Sequence, residues 1–265
     1  MDKDFTLLIT LGIASMLLLA AGFLLIVIRS QRKKWHLQVQ MSQLKEQQQN
    51  QLIEGAVKSE EGERHRIAET LHDEVGAILS SVRLHFSNIN SSQFNERDNK
   101  LHDKSKELLD EAIQKVRSIS HNLHSTLLKE FGLNEAIRNF LTKTVQGSVI
   151  HVDMELDTNY LIQSPQMDIS IYRIFQELIN NTLKHAHPSH ITVNTNVVNN
   201  IFTLDIQFDG SGLSQEQFEE LRYKPDGLGL KNIQNRIILL KGNIYFEKNN
   251  PENRIRLTVP LNREL

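Results

Sequence analysis

Apolar residues run from Phe5 to Ile28 (FTLLITLGIASMLLLAAGFLLIVI) without a charged residue among them. As a helix such a run is long enough to cross about 30 Å of hydrocarbon, so the pattern predicts one transmembrane helix over 5–28. The alternative, a cleaved signal peptide, needs a positive start and a shorter apolar core, whereas this chain begins MDKD. Arg29, Arg32, Lys33 and Lys34 follow at once, and the positive-inside rule then places everything after residue 29 in the cytoplasm. A single-pass membrane protein with almost nothing outside is the expectation.

Residues 29–66 are polar and rich in Gln, Glu and Lys, with Leu37, Met41 and Leu44 at spacings of four and three. They read as a helical linker, either a weak coiled coil with a second copy or a solvated single helix. From Ile67 the pattern sharpens: Ile67, Leu71, Val75, Ile78 and Val82 fall on one helical stripe. After the polar break SNINSSQFNERDN a second stripe runs Leu101, Leu108, Ala112, Val116, Ile119, Leu123 and Leu127. Two amphipathic helices make a hairpin over 67–130, and one hairpin cannot cover both stripes, so a four-helix dimer is expected.

Gly132 ends that region, a short helix spans about Leu133 to Thr144, and the period then changes. Alternation predicts strands at 150–156, 190–198, 201–208, 243–248 and 254–260, with Asn199-Asn200 turning a hairpin. Two helices lie between them: one capped by Ser164 with Pro165 in its first turn, running to about Ala186, and one from about Leu228 to Leu240. Residues 131–265 are thus expected to form an α/β sandwich, a mixed sheet with helices on one face.

Composition narrows the chemistry. The chain has 265 residues, a net charge of −2 and no cysteine, which excludes disulfides, thiolate nucleophiles and cysteine-bound zinc and gives no sign of direct nucleic-acid binding. On the first stripe-bearing helix, His72 sits at the flank of the apolar face with Asp73 beside it. An acidic neighbour can hold one ring N–H and leave the other nitrogen free as a nucleophile. On the helix IYRIFQELINNTLKHAH, Glu177, Asn181 and Lys184 or His185 follow one another along one edge, oxygens for a hard cation and positive groups for phosphate. Two GxG segments complete the set: Gly210 and Gly212 at the end of a strand, and Gly227 and Gly229 before a helix whose free N–H groups can bind phosphate.

Four segments in this order, RIAETLHDEVGAILSSV with ISHNLHSTLLKEFGLNEAI, QELINNTLKHA, DGSG and GLGLKNIQNR, resemble the bacterial sensor histidine kinases of two-component systems. The resemblance covers roughly residues 60–265 and is to the subgroup paired with helix-turn-helix (LuxR-type) response regulators. It implies a homodimeric dimerisation and phosphoacceptor bundle followed by a GHKL (Bergerat) ATP-binding domain, with ATP and Mg²⁺ as cofactors. His72 then looks like the phosphoacceptor and Asp73 like its orienting acid. Asn181 looks like the Mg²⁺ ligand, Glu177 like an acidic partner behind it, and Lys184 and His185 lie near the phosphates. The base and lid loops would be Asp209, Gly210 and Gly212, and Gly227, Leu228, Gly229 and Leu230. The phosphoryl group would pass from ATP to His72 and on to an aspartate in the receiver domain of a response regulator, at the bacterial inner membrane.

Two positions depart from the family pattern. Members that dephosphorylate their partner often carry an amide four residues after the acidic one; here Ala77 stands there, which puts phosphatase activity in question. The family's Asp-x-Gly-x-Gly begins with the aspartate that accepts the adenine amino proton; aligning the glycines puts Phe208 in that place and Asp209 one later. Losing such a bond costs about 1.5 to 3 kcal/mol. The rival reading is therefore a pseudokinase or scaffold of the same fold with weakened nucleotide binding; a related ATPase or anti-sigma factor lacks the His-Asp helix.

Overall fold

A computed structural model describes residues 2–89, 95–123, 126–158, 160, 164–222, 228–249 and 252–261. Its backbone divides into two compact units, Met1–Leu52 and Ile53–Leu265.

The first unit is part of one helix, α1 (Asp2–Glu69). Among the described residues no helix is long and apolar enough to cross a membrane, which overturns the transmembrane span expected at 5–28. The same helix runs on through Arg29, Arg32, Lys33 and Lys34. The positive-inside argument loses its premise with the span.

The second unit starts in the C-terminal part of α1 and passes through a π-helical turn at Thr70–Val75 into α2 (Gly76–Ser87). Helix α3 (Glu96–Leu123) returns beside it. The hairpin is joined by a buried hydrogen bond from Ser120 Oγ to the Ala68 carbonyl (2.9 Å), an Arg83–Asp110 ion pair (2.7 Å) and stacking of Phe86 on His102. Ile113 and Ala68 are buried, but Ile78, Val82, Leu101, Leu108 and Ile119 remain exposed along its other side. Helix α4 (Thr126–Val145) breaks its helical geometry at Gly132, then buries Leu133, Ala136, Ile137 and Leu141.

The rest is a five-stranded sheet, β1 (His151–Glu155), β2 (His190–Val198), β3 (Ile201–Phe208), β4 (Asn243–Glu247) and β5 (Asn253–Pro260), in the order β1-β2-β3-β5-β4. Strands β1 and β2 are parallel and the other pairs antiparallel. Asn199 and Asn200 both take positive φ, as a two-residue hairpin turn needs. Alternate strand residues Ile191, Val193, Phe202, Leu204, Ile206, Ile255, Leu257 and Val259 bury one face of the sheet. Against that face pack α5 (Pro165–His185), through Ile171, Ile174, Phe175 and Leu178, and α7 (Leu228–Leu240), through Ile233 and Ile237. Helix α5 starts where Ser164 Oγ accepts from the Met167 N–H (3.1 Å), with Pro165 in the first turn where its missing N–H costs nothing. A short helix unforeseen in the sequence, α6 (Gln215–Leu221), opens on a reciprocal capping box between Ser214 and Gln217.

Candidate functional site

The π-helical turn is the first point of interest. It carries His72 and Asp73, and the Gly76 N–H reaches back five residues to the Leu71 carbonyl. One extra residue in a turn shifts the side chains before it relative to those after it, and such turns are frequent at functional sites. The His72 imidazole is 74% exposed and its Nδ1 lies 2.8 Å from Asp73 Oδ1. A carboxylate there requires Nδ1 to carry the proton, which leaves the Nε2 lone pair pointing elsewhere and, among the described residues, unpartnered. Around the pair is a cavity of about 320 Å³ lined also by Gly76, Ala77, Ser80, Val116 and Arg117. Ala77 offers no polar atom from its side chain, and Arg117 is a cation of α3 that was missed in the sequence because nothing local ties it to His72.

The second cavity, about 630 Å³, opens between α5, α7 and the sheet. Its volume is in the range of small-molecule pockets. From α5 come Glu177, Asn181, Thr182, Lys184 and His185; from the sheet and its loops come Phe208, Ser211, Leu213, Phe246 and Ile255; from α7 come Gly229 and Leu230. Asn181 Nδ2 donates to Glu177 Oε1 (3.2 Å), which turns the amide so that its oxygen is left for a ligand. Gly229 abuts the same carboxylate, and a Cβ at that position would collide with Glu177 Oε1. A larger residue there would have to turn the Glu177 carboxylate aside.

Other expected residues lie elsewhere. The Asp209 carboxylate accepts from the Ser189 N–H (2.8 Å), the Ser189 hydroxyl (2.5 Å) and the His190 N–H (2.9 Å), outside the cavity lining. These bonds, the Ser189 hydroxyl first, hold its pKa below the ordinary carboxylate value. Gly210, at φ 90°, lets the loop press on the Ala186 carbonyl, which accepts from the Ser211 N–H (3.1 Å). Asn253 Nδ2 donates to the Gly210 carbonyl (2.9 Å), and its side chain fills the space a Cβ on Gly212 would need. Gly210 and Gly212 therefore shape the loop that presents Ser211 and Leu213. Gly227 and the Leu228 side chain lie outside the described residues.

A charge cluster that sequence reading missed joins the helical part to the sandwich. Arg173 of α5, whose side chain is 5% exposed, donates from Nε to Glu61 (2.5 Å) and from Nη1 and Nη2 to the Asn122 and Leu123 carbonyls at the end of α3 (3.1 and 2.7 Å). Arg236 of α7 reaches Glu60 (3.1 Å). Burial pulls its pKa down while Glu60 and Glu61 push it up. The one local signal was an arginine set among the core positions of α5.

A fit for Mg²⁺ can be judged from the donors. Among the described residues no group of three or more carboxylates, histidines or cysteines could hold a metal alone. Asn181 and Glu177 supply two oxygens beside cations, which suits an ion that keeps waters and takes the rest of its ligands from phosphates.

An exposed histidine held by a neighbouring carboxylate lies on a hairpin that leads into a sandwich with an asparagine-lined cavity. The chain belongs to the histidine kinases: the family described as "Histidine kinase" matches residues 63–128, and "Histidine kinase-, DNA gyrase B-, and HSP90-like ATPase" matches residues 167–263. It is 25% identical over 218 residues to the signal transduction histidine-protein kinase/phosphatase DegS of Brevibacillus brevis, covering 78% of this chain and 54% of the relative. With the kinase/phosphatase UhpB of Salmonella typhimurium it shares 28% identity over 202 residues, 74% of this chain and 38% of the relative. It therefore spans about half or less of the length of these curated relatives. The catalytic domain of the histidine kinase ThkA aligns with a TM-score of 0.43 and 19% identity over 49% of this chain and 93% of that one.

Proposed function

We propose that the chain is an ATP-dependent protein-histidine kinase that phosphorylates His72 and passes the phosphoryl group to an aspartate of a response regulator. The observation that carries this is the His72–Asp73 pair, an exposed ring with Nδ1 held at 2.8 Å by a carboxylate. His72 Nε2 attacks the γ-phosphorus in line, the bond to the bridging oxygen breaks, and ADP leaves with that electron pair. As the ring becomes cationic, Asp73 steadies the Nδ1 proton and then accepts or relays it. Lys184 and His185 offset phosphate charge beside Asn181, and Mg²⁺, held by Asn181 with Glu177 behind it, would neutralise charge on the phosphate oxygens.

The protein acts as a homodimer in this reading, since the hairpin leaves Ile78, Val82, Leu108 and Ile119 exposed. Efficient phosphatase action is not part of it: the two relatives' names include phosphatase, but Ala77 has no amide to hold an attacking water.

A second reading, a scaffold with little nucleotide affinity, is favoured by one observation: Phe208 lines the cavity while the Asp209 carboxylate is engaged outside it. Incubation with γ-labelled ATP and Mg²⁺ separates the two. Acid-labile label on the parent, absent from His72→Gln, supports the kinase; no label on the parent, with label regained in Phe208→Asp, supports the scaffold.

A further inference from the structure

We infer that the nucleotide cavity does not discriminate adenine from guanine, so that Phe208 makes GTP a phosphoryl donor alongside ATP. The inference rests on the reading of this cavity as the nucleotide site and concerns only which bases it accepts.

Adenine and guanine differ in polarity at one edge: adenine offers the N6 amino donor where guanine offers the O6 acceptor. A carboxylate aimed at that substituent rewards the first and repels the second; only one placed further along, at guanine's N1–H and N2 amino group, would favour guanine. Of the acidic side chains near this cavity, neither is placed to do so. Asp209 spends its oxygens on Ser189 and His190. Glu177 accepts from Asn181 and abuts Gly229, on the same edge as Lys184 and His185. The sheet side of the cavity is instead Phe208, Phe246, Leu213 and Ile255, with Leu230 and Leu221 from the flanking helices.

Phe208 is 5% exposed and belongs to the buried core, yet about 630 Å³ of cavity remains beside it, so it forms a wall and does not plug the site. An apolar, aromatic wall binds by contact with the faces of the base, and every base has such a face. The Ser211 N–H is already given to the Ala186 carbonyl. The polar side chains left among the sheet-side lining, Ser211 and the nearby Thr182, carry hydroxyls, and a hydroxyl can donate to O6 or accept from N6 equally well. No charged side chain on this wall separates the two purines.

Displacement of a fluorescent trinitrophenyl nucleotide from the full chain by ADP and by GDP, with Mg²⁺, tests this without reference to phosphorylation. Dissociation constants within about threefold of each other are expected, against a preference of roughly ten- to a hundredfold where a charged hydrogen bond reads the base. Phe208→Asp should tighten ADP relative to GDP by about tenfold or more, and Phe208→Leu, which keeps the wall apolar, should leave the ratio near one. A preference of the parent for ADP of tenfold or more overturns the inference, as does failure of either nucleotide to displace the probe; the parent ratio alone decides, even if Phe208→Asp does not fold. Equal affinities without label on His72 would sink the kinase reading, and with it GTP as a donor, while upholding the equal binding of the two purines; an ADP-selective parent that labels His72 would uphold the kinase reading and sink this inference.

Discussion

At the scale of single residues the site is made by small displacements of polar groups. Asp209 shows this: one position after the expected carboxylate, the alternation of β3 turns it away from the cavity, and it becomes a staple for the loop at Ser189 and His190. Its lowered pKa has a definite consequence for pH. A carboxyl whose folded value is depressed adds stability that is present above its unfolded value, near 4, and is lost as pH falls through the folded value. Asp209→Asn should therefore flatten the acid side of the stability curve below about pH 4 and change little at pH 7 beyond its lost hydrogen bonds, measured by denaturant midpoints across pH. The shift from Asp to Phe at 208 was visible in the sequence because the glycines set the register; what Asp209 does instead was not, since its partners lie about twenty residues back, in another strand and loop.

At the scale of elements, periodicity was a good guide wherever a face is buried. The five strands and the Ser164 cap of α5 lie where alternation and capping chemistry put them. Helix α6 escaped because seven residues hold too little of a 3.6-residue period, although Ser214-x-x-Gln217 was a readable capping box. The π-helical turn at His72 escaped because one extra residue barely disturbs a stripe. The Glu60, Glu61, Arg173, Arg236 cluster escaped because its arginines lie more than a hundred residues beyond its glutamates in the chain.

That cluster carries an energetic prediction. Removing one partner from a buried ion pair leaves an uncompensated charge and costs about 3 to 5 kcal/mol. Since Glu61 is partly exposed, Glu61→Ala should cost less than that figure, whereas Arg173→Met, which removes the buried charge itself, should restore part of the loss in the double variant. Urea denaturation of the single and double variants checks it; strict additivity would mean that Glu61 and Arg173 do not interact. Gly229→Ala should weaken nucleotide displacement by turning the Glu177 carboxylate aside and breaking its hydrogen bond with Asn181, with α7 left in place.

At the scale of the whole molecule, helices come first and the α/β sandwich follows, as the pattern of periods indicates. The apolar opening was the one large feature read wrongly: composition over 5–28 satisfied a length rule, but among the described residues no helix is long and apolar enough to cross a membrane. In the proposed homodimer the exposed stripe of the hairpin is the face that a second copy would cover. Ile78, Val82 and Leu108 are exposed apolar residues of the hairpin that a second copy would cover. Ile78→Glu combined with Leu108→Glu should shift sedimentation from dimer to monomer, while a variant at an exposed polar site such as Lys100 should not.

The most direct measurement is phosphoryl transfer to His72 itself. The full chain, incubated with γ-labelled ATP and Mg²⁺, should take up label that is stable to base and lost in acid, with mass spectrometry placing it on the peptide containing His72. His72→Gln should carry none, and Asp73→Asn should label slower by about a hundredfold or more. Label that persists in His72→Gln, or a parent that binds nucleotide normally and never becomes labelled, would contradict the assignment of His72 as the phosphoacceptor.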